Sequence, residues 1–413
     1  MVSPGKDVPA VAFFLRNGTP FGHMASAGWA DRDQRAFFLQ LLPRIAADVF
    51  MHLLIILKTQ GFGMKLRPTH AAALAAIFVS AGAYAQSSVT VFGIVDANVR
   101  YVKNSNLSSN VTMNSGGLST GRLGFRGVED LGGGLKAGFW LESDVLADTG
   151  NTSPTGKFFQ RRSTVSLMGN FGELRLGRDF SPASQNVVKF DPFGVVGVAG
   201  SNVTSRMPGT FASYYRHDNA MQYFTPVIGG AQLELMYAPD ESVSTKAGRH
   251  AAARLVYDNG PINLSVSYGT TFVNAAGDKL KQTGVGAAYD LGAVRLMGFY
   301  QRDELPFGTY GTATAGTEDR VLLGFTAPLG AHQIRGSYVR TDSRRGNAAF
   351  NRADADKYSI GYIHNLSKRT AVYTTASYIR NKNGANFSLV GGAPGLAAGG
   401  KSTGAEVGIR HAF

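Results

Sequence analysis

The sequence predicts an all-β protein: a sixteen-stranded antiparallel transmembrane β-barrel with its third extracellular loop folded into the lumen. Three observations predict it. From Ser88 onward, runs rich in Val, Tyr, Phe and Thr alternate with turns built from Gly, Asn, Asp and Pro. Those turns alternate between short and long, an asymmetry of membrane barrels. The last run has period two: Ala405, Val407, Ile409, His411 and Phe413 share one face and Gly404, Glu406, Gly408, Arg410 and Ala412 the other. A helical membrane protein is disfavoured, because the body of the chain holds no run of about 18–20 apolar residues.

The expected strands are 88–102, 119–128, 135–146, 158–169, 173–180, 217–226, 231–239 and 250–258. They continue as 262–273, 282–290, 293–302, 318–328, 331–342, 354–364, 370–381 and 403–413. Seven short turns join them, among them Asn170-Phe171-Gly172, Asp258-Asn259-Gly260-Pro261 and Pro328-Leu329-Gly330. The longer polar connections include 102–119, 147–157 and 383–401. In lipid such a sheet must close, since an open edge leaves backbone groups without partners. Sixteen strands leave an aqueous bore.

The loop from Ser181 to about Tyr215 differs from the others. It carries Lys189-Phe190-Asp191-Pro192-Phe193-Gly194 and then a Val/Gly/Ala-rich stretch. Long loops with their own apolar residues are commonly functional or disordered, and this one is expected to fold against the inner wall, with an extracellular flap as the alternative. Aromatic residues at strand ends are read as an interfacial girdle: Tyr214, Tyr215, Tyr223, Phe224, Phe299, Tyr300, Tyr358, Tyr362, Tyr373 and Tyr378.

Residues 64–85 read as a secretory signal. Lys65 and Arg67 form its charged start, Ala71–Ser80 its apolar core, and Ala83-Tyr84-Ala85 the small residues before cleavage. The barrel then occupies 86–413. Residues 1–63 do not resemble it and read as upstream sequence, with Met64 as the true start. The chain has no Cys, 41 Lys and Arg, and 28 Asp and Glu, a formal charge of +13. Without residues 1–85 the charge is +9. A basic export product points to anionic solutes or surfaces, and no basic helix supports nucleic-acid binding.

No cofactor is expected. The five histidines after residue 85, His217, His250, His332, His364 and His411, are scattered, without metal-ligand spacing or a nucleophile motif. An enzymatic barrel and a purely adhesive barrel are the competing readings.

Several motifs together resemble the beta-proteobacterial general porins of Gram-negative outer membranes. They are Ser87–Asp96, Gly121–Gly132, Gly172–Arg178, Asp191-Pro192-Phe193-Gly194, His364–Thr370 and the ending Gly408–Phe413. The resemblance implies a homotrimer in outer-membrane lipid and lipopolysaccharide, assembled by the barrel-assembly machinery with Phe413 as its signal. It implies a passive, weakly anion-selective channel for small anionic and other hydrophilic solutes. By position it points to Arg122, Arg161 and Arg216 as wall arginines, with Arg178 and Lys189 as further basic candidates. Asp191 in the loop and Glu142 on the third strand form the acidic side. Strand parity puts Arg122 opposite Leu123 and Phe125, hence inward. Parity also favours Arg162 over Arg161 as the inward residue, whereas the resemblance favours Arg161, so both are carried forward. Arginine suits this role because it stays charged and binds carboxylate or phosphate through a planar fork.

Overall fold

A computed structural model describes residues 88–152, 156–204, 215–242, 244–305, 315–345 and 352–413. The leader and the upstream segment, with Tyr214 of the aromatic set, lie outside these residues. The described residues all belong to the unit Ala85–Phe413.

The strands are β1 (Ser88–Asn104), β2 (Ser109–Ser115), β3 (Arg122–Gly132), β4 (Leu135–Asp144), β5 (Arg162–Gly169), β6 (Gly172–Phe180), β7 (Arg216–Phe224), β8 (Ala231–Ala238) and β9 (His250–Asn259). They continue as β10 (Ile262–Phe272), β11 (Lys279–Asp290), β12 (Arg295–Leu305), β13 (Gly316–Leu329), β14 (His332–Arg345), β15 (Arg352–Asn365), β16 (Thr370–Lys382) and β17 (Lys401–Ala412). From β3 onward each strand pairs antiparallel with the next. The circle closes where Ile94–Asn104 of β1 pairs with Ser402–Ala412 of β17.

Strand β2 was expected to be part of a loop. It pairs with Ala97–Lys103 of β1, while β3 pairs with Ser88–Ile94 along the same edge. The two are therefore one wall strand interrupted at 116–121, and the wall keeps sixteen strands. Asp96 holds the interruption. Its carboxylate accepts the backbone N–H groups of Gly117, Leu118 and Ser119 at 3.2, 2.9 and 2.6 Å, and the hydroxyl of Tyr373 at 2.5 Å. A buried carboxylate is tolerated where such donors satisfy it.

The wall is turned inside out relative to a water-soluble protein. On β10, Ile262, Leu264, Val266 and Tyr268 are exposed, while Asn263, Ser265 and Ser267 are buried. This is the apolar-out, polar-in alternation of a barrel in lipid. The aromatic set divides by parity. Tyr300, Tyr358 and Tyr362 face outward, as a girdle requires. Tyr373, Phe224, Phe299 and Tyr215 are buried instead, so those four were misassigned to the girdle.

Helix α1 (Pro182–Phe190) opens the long loop, with Ser181 as N-cap accepting the Ser184 N–H at 3.3 Å. The loop's partners belong to the inward parity of the wall. Phe190 lies where a Cβ on Gly286 of β11 would stand, and Phe193 crowds Gly361 of β15 in the same way. Lys357 of β15 donates to the Gly200 carbonyl at 2.6 Å, Arg335 of β14 donates to the Pro192 carbonyl at 3.3 Å, and Glu406 of β17 accepts the Val198 N–H at 3.3 Å. The loop is thus fastened to one side of the inner wall, which leaves β3–β6 opposite it.

Candidate functional site

On β4, parity puts Trp140, Glu142 and Asp144 on the inner face, opposite Phe139 and Leu141. Register sets Arg122 of β3 across from Asp144, and Arg162 of β5 across from Glu142. Three adjacent strands therefore bring two arginines and two carboxylates together. Arg161, immediately before β5, joins them. Its Nε lies 2.5 Å from Glu142 Oε1 and its Nη1 2.8 Å from Asp144 Oδ1. Arg122 Nη1 reaches the same Glu142 oxygen at 3.3 Å, and Trp140 Nε1 donates to the other at 3.0 Å. Gln160 donates to Asp144 at 2.7 Å.

Both Arg161 and Arg162 lie in this cluster. Arg161 precedes the strand, so strand parity does not govern it. Arg162 takes the inward strand position, 4.6 Å from the Trp140 ring centroid, with its Nε 3.4 Å from Asp179. Arg216 at the start of β7 is stacked 3.8 Å over Phe180 and lies within electrostatic reach of Arg161, Asp144 and Glu142. Such stacking fixes a planar guanidinium without neutralising it. Arg122 is the most open of the three ion-paired arginines, its side chain 27% exposed against 20% for Arg162 and 9% for Arg161.

Two candidates, Asp191 and Lys189, fall elsewhere, and a third, Arg178, borders the cluster. Asp191 is buried, and its carboxylate accepts the N–H groups of Phe193, Val195 and Ser201 at 2.8, 3.1 and 2.9 Å. It folds the loop onto itself instead of facing the arginines. Lys189 is paired with Asp258 at 3.1 Å, beside the β9–β10 turn. Arg178 pairs with Asp218 at 2.7 Å and donates to the Gln160 carbonyl at 2.6 Å, on a strand position that shares parity with exposed Leu174 and Leu176. The β6 register shifts at this residue, and the bond to Gln160, itself a partner of Asp144, keeps Arg178 at the border of the cluster.

The sequence reading missed Asp144, Asp179, Trp140 and Arg175, and left Arg126 off the candidates although strand parity sets it on the face of Arg122. Arg126 lies 5.1 Å from Trp140 and 5.4 Å from Phe92, and Arg175 lies 4.2 Å over Phe224 while pairing with Asp179 at 2.9 Å. Parity along β4 was enough to find Trp140 and Asp144. Among the described residues no group of three or more His, Asp or Glu is arranged to hold a metal. Phe413 closes the chain against β1. Its backbone exchanges two 3.0 Å hydrogen bonds with Gly93, and its ring lies over that glycine.

A closed, lipid-facing barrel with a charged inner wall defines an outer-membrane channel. The family model for Gram-negative porins matches residues 71–384. Outer membrane porin protein 32 of Delftia acidovorans is 39% identical over 83% of this chain and 98% of its own. An outer membrane porin of Bordetella pertussis is 31% identical over the same shares. The solved anion-selective porin from Comamonas acidovorans superposes with a TM-score of 0.71 at 38% identity, covering 79% of this chain and all of that one. OmpT of Vibrio cholerae, solved in a trimer form, shares the fold at a TM-score of 0.58 and 14% identity, over 79% of this chain and 99% of that one. The chain belongs to the Gram-negative porin family: it is an outer-membrane porin, a passive channel and not an enzyme.

Proposed function

We propose that this porin is a weakly anion-selective diffusion channel for small hydrophilic solutes. The observation that carries the reading is the convergence of Arg122, Arg161, Arg162 and Arg216 around Glu142 and Asp144, on the wall opposite the fastened loop. Four arginines against three carboxylates, Asp179 being the partner of Arg162, leave a small positive excess at that height, and a low-dielectric wall focuses its field on the water in the bore. Basic residues lining a narrow pore favour anions. The partial pairing keeps the arginines from forming one tight anion trap, so that solutes leave as readily as they enter.

The same reading includes a homotrimer embedded among outer-membrane lipid and lipopolysaccharide. Its assembly machinery reads Phe413. A cleaved leader at 64–85 precedes the barrel at 86–413, and residues 1–63 are not part of the exported product. Intact mass of the exported chain tests the leader, and a mature start well before Gln86 would overturn it. Reversal potential in a salt gradient across a planar bilayer tests the selectivity. Anion preference is expected, and cation preference would overturn the reading. Replacing Arg122, Arg161 and Arg216 together by Ser should remove the preference.

A further inference from the structure

His332 opens β14 and His364 lies near the end of β15, directly opposite it in register. Both have outward parity. His364 follows exposed Tyr358, Ile360 and Tyr362 at steps of two, and His332 is out of phase with buried Arg335 and Ser337. His332 is exposed and His364 half-buried beside the short turns, the end that faces the periplasm in this architecture. The two rings stack with centroids 4.7 Å apart and planes 22° from parallel, and their Nδ1 atoms stand 3.2 Å apart. The Tyr362 hydroxyl lies 2.6 Å from the same His332 Nδ1.

This spacing has a chemical meaning beyond a hydrogen bond. In near-parallel rings the in-plane Nδ1 lone pairs run side by side, so the contact is a hydrogen bond when one nitrogen carries a proton, and a rotation of the rings would turn both lone pairs toward one point. A metal ion can take the place of that proton. Two nitrogens bound tetrahedrally to zinc at about 2.0–2.1 Å must lie about 3.3 Å apart. The observed 3.2 Å is that span.

From this geometry we infer a second site, unrelated to the arginine cluster. His332 and His364 chelate a borderline divalent transition metal, Cu²⁺ or Zn²⁺, at the short-turn rim of the barrel. The Tyr362 oxygen and water fill the remaining positions. Imidazole is a ligand of choice for these ions, and copper should bind more tightly than zinc. Because the two ligands come from adjacent strands whose register is fixed by the ladder, their backbones are already placed and binding requires only rotation of the two imidazoles. His411 is a reference within the same molecule. It is also exposed near the short-turn end, but its Nδ1 meets only the Thr370 hydroxyl at 2.9 Å.

The test uses untagged, detergent-solubilised protein titrated with Cu²⁺ and read by calorimetry and electron paramagnetic resonance, with Zn²⁺ as competitor. The expected result is one site per chain with two nitrogen ligands. Affinity should fall by more than about tenfold in His332→Ala and in His364→Ala, since loss of even an outer-shell partner costs about that much. It should be unchanged in His411→Ala. Absence of a two-nitrogen signal, indifference to both variants, or an equal loss in His411→Ala would overturn the inference. A measurement on the unmodified chain guards against a variant that fails to fold. Zn²⁺ should protect His332 and His364, but not His411, from diethyl pyrocarbonate, and equal modification of all three with and without zinc would also overturn it.

Discussion

Replacing Asp191 by Asn separates two roles for the constriction loop's carboxylate. In the structure its Oδ1 accepts one backbone N–H, from Phe193, and its Oδ2 accepts two, from Val195 and Ser201. An amide has one acceptor oxygen. The best orientation in Asp191→Asn keeps the pair at Val195 and Ser201 and turns the NH₂ toward the Phe193 N–H. One bond to a charged acceptor, worth about 1.5–3 kcal/mol, is lost, and the two survivors fall to neutral strength, about 0.5–1.5 kcal/mol each. The total is about 4 kcal/mol, or about three decades in the equilibrium for detaching this turn of the loop. The barrel ladder makes no use of Asp191, so its thermal midpoint should stay put. The loop retains its bonds to Lys357, Arg335 and Glu406, so it should open intermittently and not be lost. Single-channel recordings should therefore show greater open-channel noise and new conductance levels, and limited proteolysis should cut the loop faster. A channel as quiet as the parent with a raised anion preference would refute this, because it is the result expected of a lumen-facing charge.

Three further outcomes follow from the same geometry. Arg122→Ser should lower the anion-to-cation permeability ratio about four- to fifteenfold at low salt, because one charge about 5–10 Å from the ion path is worth about 0.4–0.8 kcal/mol in water to each ion, with opposite sign for anion and cation. Reversal potentials check this, and the parent's preference should fade between about 0.1 and 1 M salt as the Debye length shrinks from about 10 to about 3 Å. Glu142→Gln should raise anion preference in the same assay while costing the barrel about 3 kcal/mol, since it removes one of the two carboxylates that pair with buried Arg161; thermal unfolding of the purified barrel would show whether that cost exists. Phe413→Ala keeps both backbone bonds to Gly93 but removes the ring, and should lower the yield of heat-modifiable barrel in membranes without changing conductance of the molecules that do assemble.

What the sequence made legible depended on whether one periodicity governed the residue. Sixteen wall strands could be read because lipid on one side and water on the other force a period of two through each, with turn residues between them. Strand β2 escaped although it alternates, with exposed Val111 and Met113 on one face and Asn110, Thr112 and Asn114 on the other, because the alternation is only five residues long inside an otherwise polar connection. Parity could not decide between Arg161 and Arg162, since it constrains a residue inside a ladder and Arg161 stands just outside one. Asp191 was misread for a different reason. Its charge is visible in the sequence, but the three N–H groups that consume it are brought together only when the chain folds back from Phe193 to Ser201. The loop's seat follows the same logic. Glycines at inward positions 286 and 361 look like weak points in their strands, and become intelligible once closure of the barrel sets them under Phe190 and Phe193. Filling either position is therefore a way to move the loop without touching a charge. Gly286→Ala puts a methyl group where the Phe190 ring now lies, and any change in conductance it causes would be steric, with the arginine field left intact.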